Sequence, residues 1–200
     1  MSNKQNQTDI KKQLKESNQK GFSILETIVA IFILTVGLMG TAAALTYAFE
    51  FGTTSRNVGN ARMIIVSTME EIESLRNTRR LDFKQIANAG AVDNTDSKNT
   101  FNGFSVDFKP LSLNPGPDGV SGTDDDLNDA GPDGVYGNGD DFVNPALARS
   151  GYMRKITITS LPLDPTIKKV EINVRYFSAG GKVSEISGVG YINNESRTTG

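Results

Sequence analysis

Asp124, Asp126 and Asn128 stand at i, i+2 and i+4, the spacing at which a calcium loop offers its first three oxygen ligands. They lie in a stretch, residues 110–148, that holds eight Asp and no Lys or Arg. Carboxylates crowded in this way repel one another unless a cation sits among them. Calcium suits the composition, because it takes about 6–8 oxygens and Gly-rich turns let backbone carbonyls join the carboxylates. Magnesium tolerates so irregular a cage poorly. The EF-hand pattern itself fails: position six is Asp129 where Gly belongs, and position twelve is Val135 where Glu belongs. The stretch is also duplicated. Gly116 to Leu127 aligns with Gly131 to Phe142 at an offset of 15, with eight of twelve positions identical. The candidate calcium ligands are Asp118, Asp124, Asp126, Asn128, Asp133, Asp140 and Asp141. The alternative is a solvated acidic loop that needs no metal.

Other chemistries are excluded by composition. Among 200 residues there is no His, no Cys and no Trp, which removes Ser-His-Asp triads, thiol nucleophiles, Cys/His zinc sites and disulfides. Gly180-Gly181-Lys182 runs into Val183 and lacks the upstream Gly of a phosphate-binding loop, and Gly188-Val189-Gly190 lacks a third Gly at the required place. No catalytic residue is assigned, and the chain is expected not to be an enzyme. No basic patch with interleaved aromatics is present, so no contact with nucleic acid is expected.

The elements around the acidic stretch begin with an apolar segment. Thr27 to Phe49 contains 23 residues and no charge. As a helix it spans roughly 35 Å, enough to cross a hydrocarbon core of ~30 Å. Five Lys before it, against Asp9 and Glu16, place the N-terminus on the cytoplasmic side. A secretory signal cut after Ala42-Ala43-Ala44 is opposed by the long polar leader and by an apolar run that continues to Phe49. Glu26 sits at the edge of the apolar segment. A carboxylate at membrane depth costs on the order of 2.5–3.5 kcal/mol and calls for a partner.

Lys20-Gly21-Phe22-Ser23-Ile24-Leu25-Glu26, followed by the apolar run, resembles the class III signal of type IV prepilins and pseudopilins. The match covers the basic leader, the Gly, a Phe opening the apolar segment and a Glu as its fifth residue. The resemblance implies cleavage between Gly21 and Phe22 by a membrane-embedded prepilin peptidase that also methylates the new amine on Phe22. It implies that Glu26 pairs with the N-terminal amine of a neighbouring subunit as a filament assembles. The implied partners are that peptidase and other pilin subunits. The implied location is the bacterial inner membrane for the precursor and an extracellular pilus after assembly. A Pro common in the apolar half of pilin helices is absent here; Gly37 and Gly40 occupy that region.

The sequence predicts that this helix continues from about Phe22 to Arg80, with Ile65, Met69, Ile72 and Leu75 as an apolar stripe, Met63 and Met69 in the core, and a bend at Gly52 or Gly59. Four strands follow: one through Phe104, Val106 and Phe108, then Tyr152 to Ser160, Lys168 to Ser178, and Lys182 to Ile192. Leu163-Asp164-Pro165-Thr166 and Ala179-Gly180-Gly181 supply turns. The last two strands, KKVEINVRYFSAGGKVSEISGVGYI, are similar to the final hairpin of minor pilins and pseudopilins. The expected fold class is α+β and pilin-like: a long N-terminal helix packed on an antiparallel sheet of about four strands, with a long acidic loop. Residues 1–21 are the leader, 22–50 the membrane or filament-core helix, 51–82 the amphipathic helix and 83–200 the head. The expected function is that of a minor pilin. The alternatives are a pseudopilin of a secretion or DNA-uptake system, and an uncleaved membrane-anchored protein with a calcium-dependent binding head.

Overall fold

The computed structural model describes residues 21–95, 97–112, 114–178 and 181–194. The leader lysines and the Ala179-Gly180 part of the last turn lie outside the described residues. The chain forms two compact units, Met1–Phe49 and Glu50–Gly200. A single helix, α1 (Ile24–Asn77), belongs to both and runs unbroken through Gly52 and Gly59.

Within the first unit, the apolar residues of α1 are exposed on every side. Such a helix needs an apolar surrounding, and α1 is long and apolar enough to cross a membrane. Thr35, Thr41 and Thr46 return their hydroxyls to carbonyls three or four residues back, at 2.7–3.0 Å, so their polar atoms are satisfied inside the helix.

Within the second unit, α1 becomes amphipathic. Ala61, Ile64, Thr68, Ile72 and Leu75 are buried. The stripe is thus rotated from the one the spacing predicts: Ile65 and Met69 flank it, half-buried against the core. Met63, expected inside, is 71% exposed, because its position falls on the face opposite the sheet. The helix ends earlier than Arg80, at Asn77. Arg80 N–H donates to Leu75 O and Arg79 N–H to Arg76 O, both at 3.0 Å, with Arg79 left-handed at φ 57°. These are the bonds of a Schellman cap, with Arg where Gly is usual.

The sheet has four antiparallel strands in the order β1-β4-β5-β6: β1 (Lys109–Ser112), β4 (Ala148–Leu161), β5 (Asp164–Phe177) and β6 (Val183–Asn193). Two further short strands, β2 (Asn128–Asp129) and β3 (Phe142–Val143), pair within the acidic loop. Alternation buries Val170, Ile172, Val174 and Tyr176 of β5 against Ile156 and Ile158 of β4 and against α1. Each such aliphatic side chain contributes roughly 1.5–3 kcal/mol by burial. The fold is the α+β, pilin-like arrangement of a long N-terminal helix packed on an antiparallel sheet.

Two local expectations need correction. The first strand is not at residues 104–108: Phe104 is buried but Val106 is 45% exposed. Phe104 forms only an isolated parallel bridge to Asn88, and the strand starts at Lys109. The edge of β4 there is met instead by Ser105 O, which accepts from Ile156 N–H at 3.3 Å, and by the Asn88 amide, which exchanges two bonds with Ile158. The turn between β4 and β5 is also tighter than Leu163-Asp164-Pro165-Thr166. Leu161 pairs with Asp164, so Pro162 and Leu163 alone make the turn and Pro165 already lies in β5.

Candidate functional site

Gly21, Phe22 and Ser23 are non-helical and exposed, and the helix opens at Ile24, with Thr27 N–H donating to Ser23 O at 3.1 Å. The Gly21–Phe22 bond therefore lies outside the helical hydrogen-bond ladder. Glu26 stands in the first turn of α1, where unsatisfied N–H groups favour a carboxylate. No ion pair of Glu26 forms among the described residues.

The duplicated sequence is a duplicated structure. In the first copy, Asn114 Oδ1 accepts from Gly116 N–H at 3.1 Å, Asp118 Oδ1 from Val120 N–H at 2.8 Å, and Asp126 Oδ2 from Gly122 N–H at 2.8 Å. In the second, Asp129 Oδ1 accepts from Gly131 N–H at 3.1 Å, Asp133 Oδ1 from Val135 N–H at 2.9 Å, and Asp141 Oδ2 from Gly137 N–H at 2.6 Å. Backbone angles repeat as well: φ is 71° at Gly116 and 68° at Gly131, 94° at Gly122 and 93° at Gly137. Most of the loop's carboxylates thus accept backbone N–H bonds within their own turn.

The copies differ in what holds them. The first is docked on the helix and sheet. Asp126, only 3% exposed, lies 3.6 Å from the Arg154 guanidinium, which also donates to Thr68 Oγ1 of α1 at 2.9 Å. Glu71 of α1 accepts from Ser121 N–H at 3.2 Å, and Arg80 donates to Gly119 O at 3.2 Å. Burial pushes the Asp126 carboxyl up, and hydrogen bonds from Gly122 and Thr123 and the positive charge of Arg154 hold it back. The second copy is mostly exposed and hangs on the first through Tyr136, whose hydroxyl accepts from the Asn114 amide at 2.6 Å and donates to Asn128 O at 3.3 Å, and through Asn144 N–H, which donates to Leu127 O at 2.8 Å.

The seven candidate ligands do not converge on one point. Among the described residues, no three acidic side chains are grouped so as to hold a metal ion. Asp124 is taken by Lys109 at 3.1 Å, and the Ser105 hydroxyl, with that ammonium, lowers its carboxyl pKa. Asp126 is taken by Arg154. Asn128 lies in β2, Asp133 accepts from the Asn138 amide at 2.7 Å, and the Asp140 side chain is exposed beside Gly131. Among the described residues, two carboxylate oxygens are buried without a hydrogen-bond partner, Asp118 Oδ2 and Asp141 Oδ1. Burial pushes the Asp118 carboxyl up to about 7; the nearby charges of Asp125 and Asp126 add to the rise and the Val120 N–H opposes it. Arg154 is the residue that sequence reasoning missed. Its signal was available, for it is the charged residue in phase with Ile156 and Ile158 on the buried face of β4.

Residues 17–42 match the family model described as the prokaryotic N-terminal methylation motif. The chain carries a type IV prepilin-like signal, and the motif supports a precursor of the type IV pilin or pseudopilin kind. It implies processing by a prepilin peptidase and assembly with other pilins, and with the apolar helix it fits a membrane-anchored precursor. No curated protein and no solved structure matches the chain.

Proposed function

We propose that the chain is the precursor of a minor pilin: a structural subunit without turnover, cut after Gly21, methylated on Phe22 and built into a type IV pilus through α1. The observation that carries this reading is the methylation motif at residues 17–42, with its scissile bond in the non-helical residues before α1 and Glu26 in the first turn. In an assembled filament, Glu26 would be neutralised by the amine on Phe22 of a neighbouring subunit, which makes a costly buried carboxylate into a device for register. The bulk of the acidic duplication favours a minor over a major subunit, because an exposed insertion of this size sits awkwardly in a shell packed at high copy. Gly21→Val blocks cleavage on this reading, and Glu26→Ala permits cleavage but reduces incorporation into sheared filaments. Cleavage of both variants alongside normal incorporation of Glu26→Ala overturns it.

Calcium in the acidic duplication is a second proposal, favoured by the two orphan oxygens, one in each copy. Asp118 would serve the first copy and Asp141 the second, with backbone carbonyls supplying much of the remaining coordination. Titration of the full chain in detergent with calcium chloride tests this. Saturable binding, weakened by Asp118→Asn, supports it; heat release indistinguishable from buffer refutes it.

A further inference from the structure

The four-stranded sheet treats its two edges differently. On β4, the outer edge is covered by β1, by Ser105 O and by the Asn88 amide. On β6, the outer edge meets no strand among the described residues. This strand is 11 residues long, pairs with β5 without a register shift from Val183 to Asn193, and contains no Pro, Lys or Arg. Folded proteins blunt a free edge by shortness, bulges, Pro or Lys, because its unpaired N–H and C=O groups are a template for another strand. A groove lies beside this open edge. α1 and β6 advance together, with Ile65 against Gly188, Met69 against Gly190 and Arg76 donating to Asn193 O at 3.0 Å. Between them is a cavity of about 250 Å³ lined by Val66, Met69, Glu70, Glu73, Gly188 and Gly190 among others. The two glycines leave the helix-facing row of β6 without side chains there. Glu70 and Glu73 are exposed at the rim and form no ion pair among the described residues.

We propose that the α1–β6 groove is a docking site for an extended segment of a different protein, which adds to the sheet as a strand beside β6 and places an Arg or Lys in the cavity. The open edge supplies main-chain hydrogen bonds at every second residue, and the cavity reads the side chains that the added strand turns toward α1. At the level of Gly190, such a side chain passes over Val66 and Met69 before it reaches the two carboxylates. A long cationic side chain has this form, an apolar stem with a charged tip. Arg suits best, since its planar guanidinium can bond to both carboxylates. A second copy of this chain is a poor occupant. β6 holds Glu185 and no cation, so β6 set against β6 would leave Glu70 and Glu73 uncompensated. The partner is thus a strand-forming segment with one basic residue among Val, Ile or Thr. Such docking requires neither cleavage after Gly21 nor high copy number.

The probe is a short labelled peptide of alternating Val and Thr with Arg in place of the central Val. It is titrated with the full chain in detergent and followed by fluorescence anisotropy. Saturable binding is the expected result. Exchanging the central Arg for Glu weakens it by about tenfold. The chain carrying Glu70→Lys and Glu73→Lys, both on the exposed face of α1, reverses the preference and takes the Glu peptide over the Arg peptide. A peptide N-methylated throughout cannot donate to the edge and loses binding, whereas the unmodified peptide slows amide hydrogen exchange in β6. Four results each overturn the proposal: no saturable binding, affinities indifferent to the charge exchange, full binding by the N-methylated peptide, or a self-associated chain in which β6 is already protected. The titration reads the same on the precursor and on a chain that begins at Phe22, so its failure leaves the pilin reading standing.

Discussion

At the scale of single residues, Arg154 decides whether the acidic loop is part of the head. Its guanidinium joins Thr68 of α1 to Asp126 of the first repeat while 7% exposed. Removing one member of a buried pair leaves the other charge uncompensated, at about 3–5 kcal/mol. Arg154→Ala should therefore lower the unfolding free energy of the detergent-solubilised chain by about that much, read by tyrosine fluorescence, since Tyr152 and Tyr176 border the core. A loss under about 1 kcal/mol, the scale of an exposed pair, would show that the pair is solvated. Asp118 gives a second test. Its carboxyl titrates at about 7 in the folded chain against an ordinary value of 3.8. The folded state thus holds a proton that the unfolded state has already released, and stability falls as pH rises from about 4 to 7. Asp118→Asn stays neutral and still accepts from Val120 N–H. The variant should match the parent near pH 4 and melt higher near pH 7.5 in metal-free buffer. Equal melting at both pH values would contradict the assignment.

At the scale of elements, the join between α1 and β6 depends on missing side chains. A Cβ on Gly188 would overlap Ile65 Cγ2, held close to a stiff β-branched stem; one on Gly190 would meet only the flexible end of Met69. Gly188→Ala should cost about 1–3 kcal/mol and Gly190→Ala clearly less, measured by denaturant unfolding; equal costs would refute this account of the contact. Arg79→Gly should add about 1 kcal/mol by relieving a left-handed non-Gly residue. These particulars show what the sequence could and could not reveal. Strands β4 and β5 were legible, because Ile156, Ile158, Val170, Ile172, Val174 and Tyr176 alternate without interruption. Strand β1 was not. Phe104, Val106 and Phe108 alternate equally well, yet Phe104 is drawn into the core beside Phe101, with ring centroids 5.3 Å apart. The helix period was legible, but its phase was not, since Ile64 and Ile65 are equally apolar and only the position of the sheet chooses between them. The duplication was visible as letters. That its carboxylates mostly cap their own turns was hidden, because an Asp in a Gly-rich turn serves a backbone N–H or a metal with the same spacing.

At the scale of the whole molecule, the prokaryotic N-terminal methylation motif and the apolar helix support a membrane-anchored precursor of the pilin or pseudopilin kind. The central claim is the cut. Intact and N-terminal mass spectrometry of the protein recovered from membranes and sheared filaments tests it most directly. The account predicts a chain that begins at N-methylated Phe22 in both fractions, at low abundance in the filaments relative to their main subunit. A chain that keeps Met1 to Gly21 would contradict it and leave a membrane-anchored protein with an exposed head in its place.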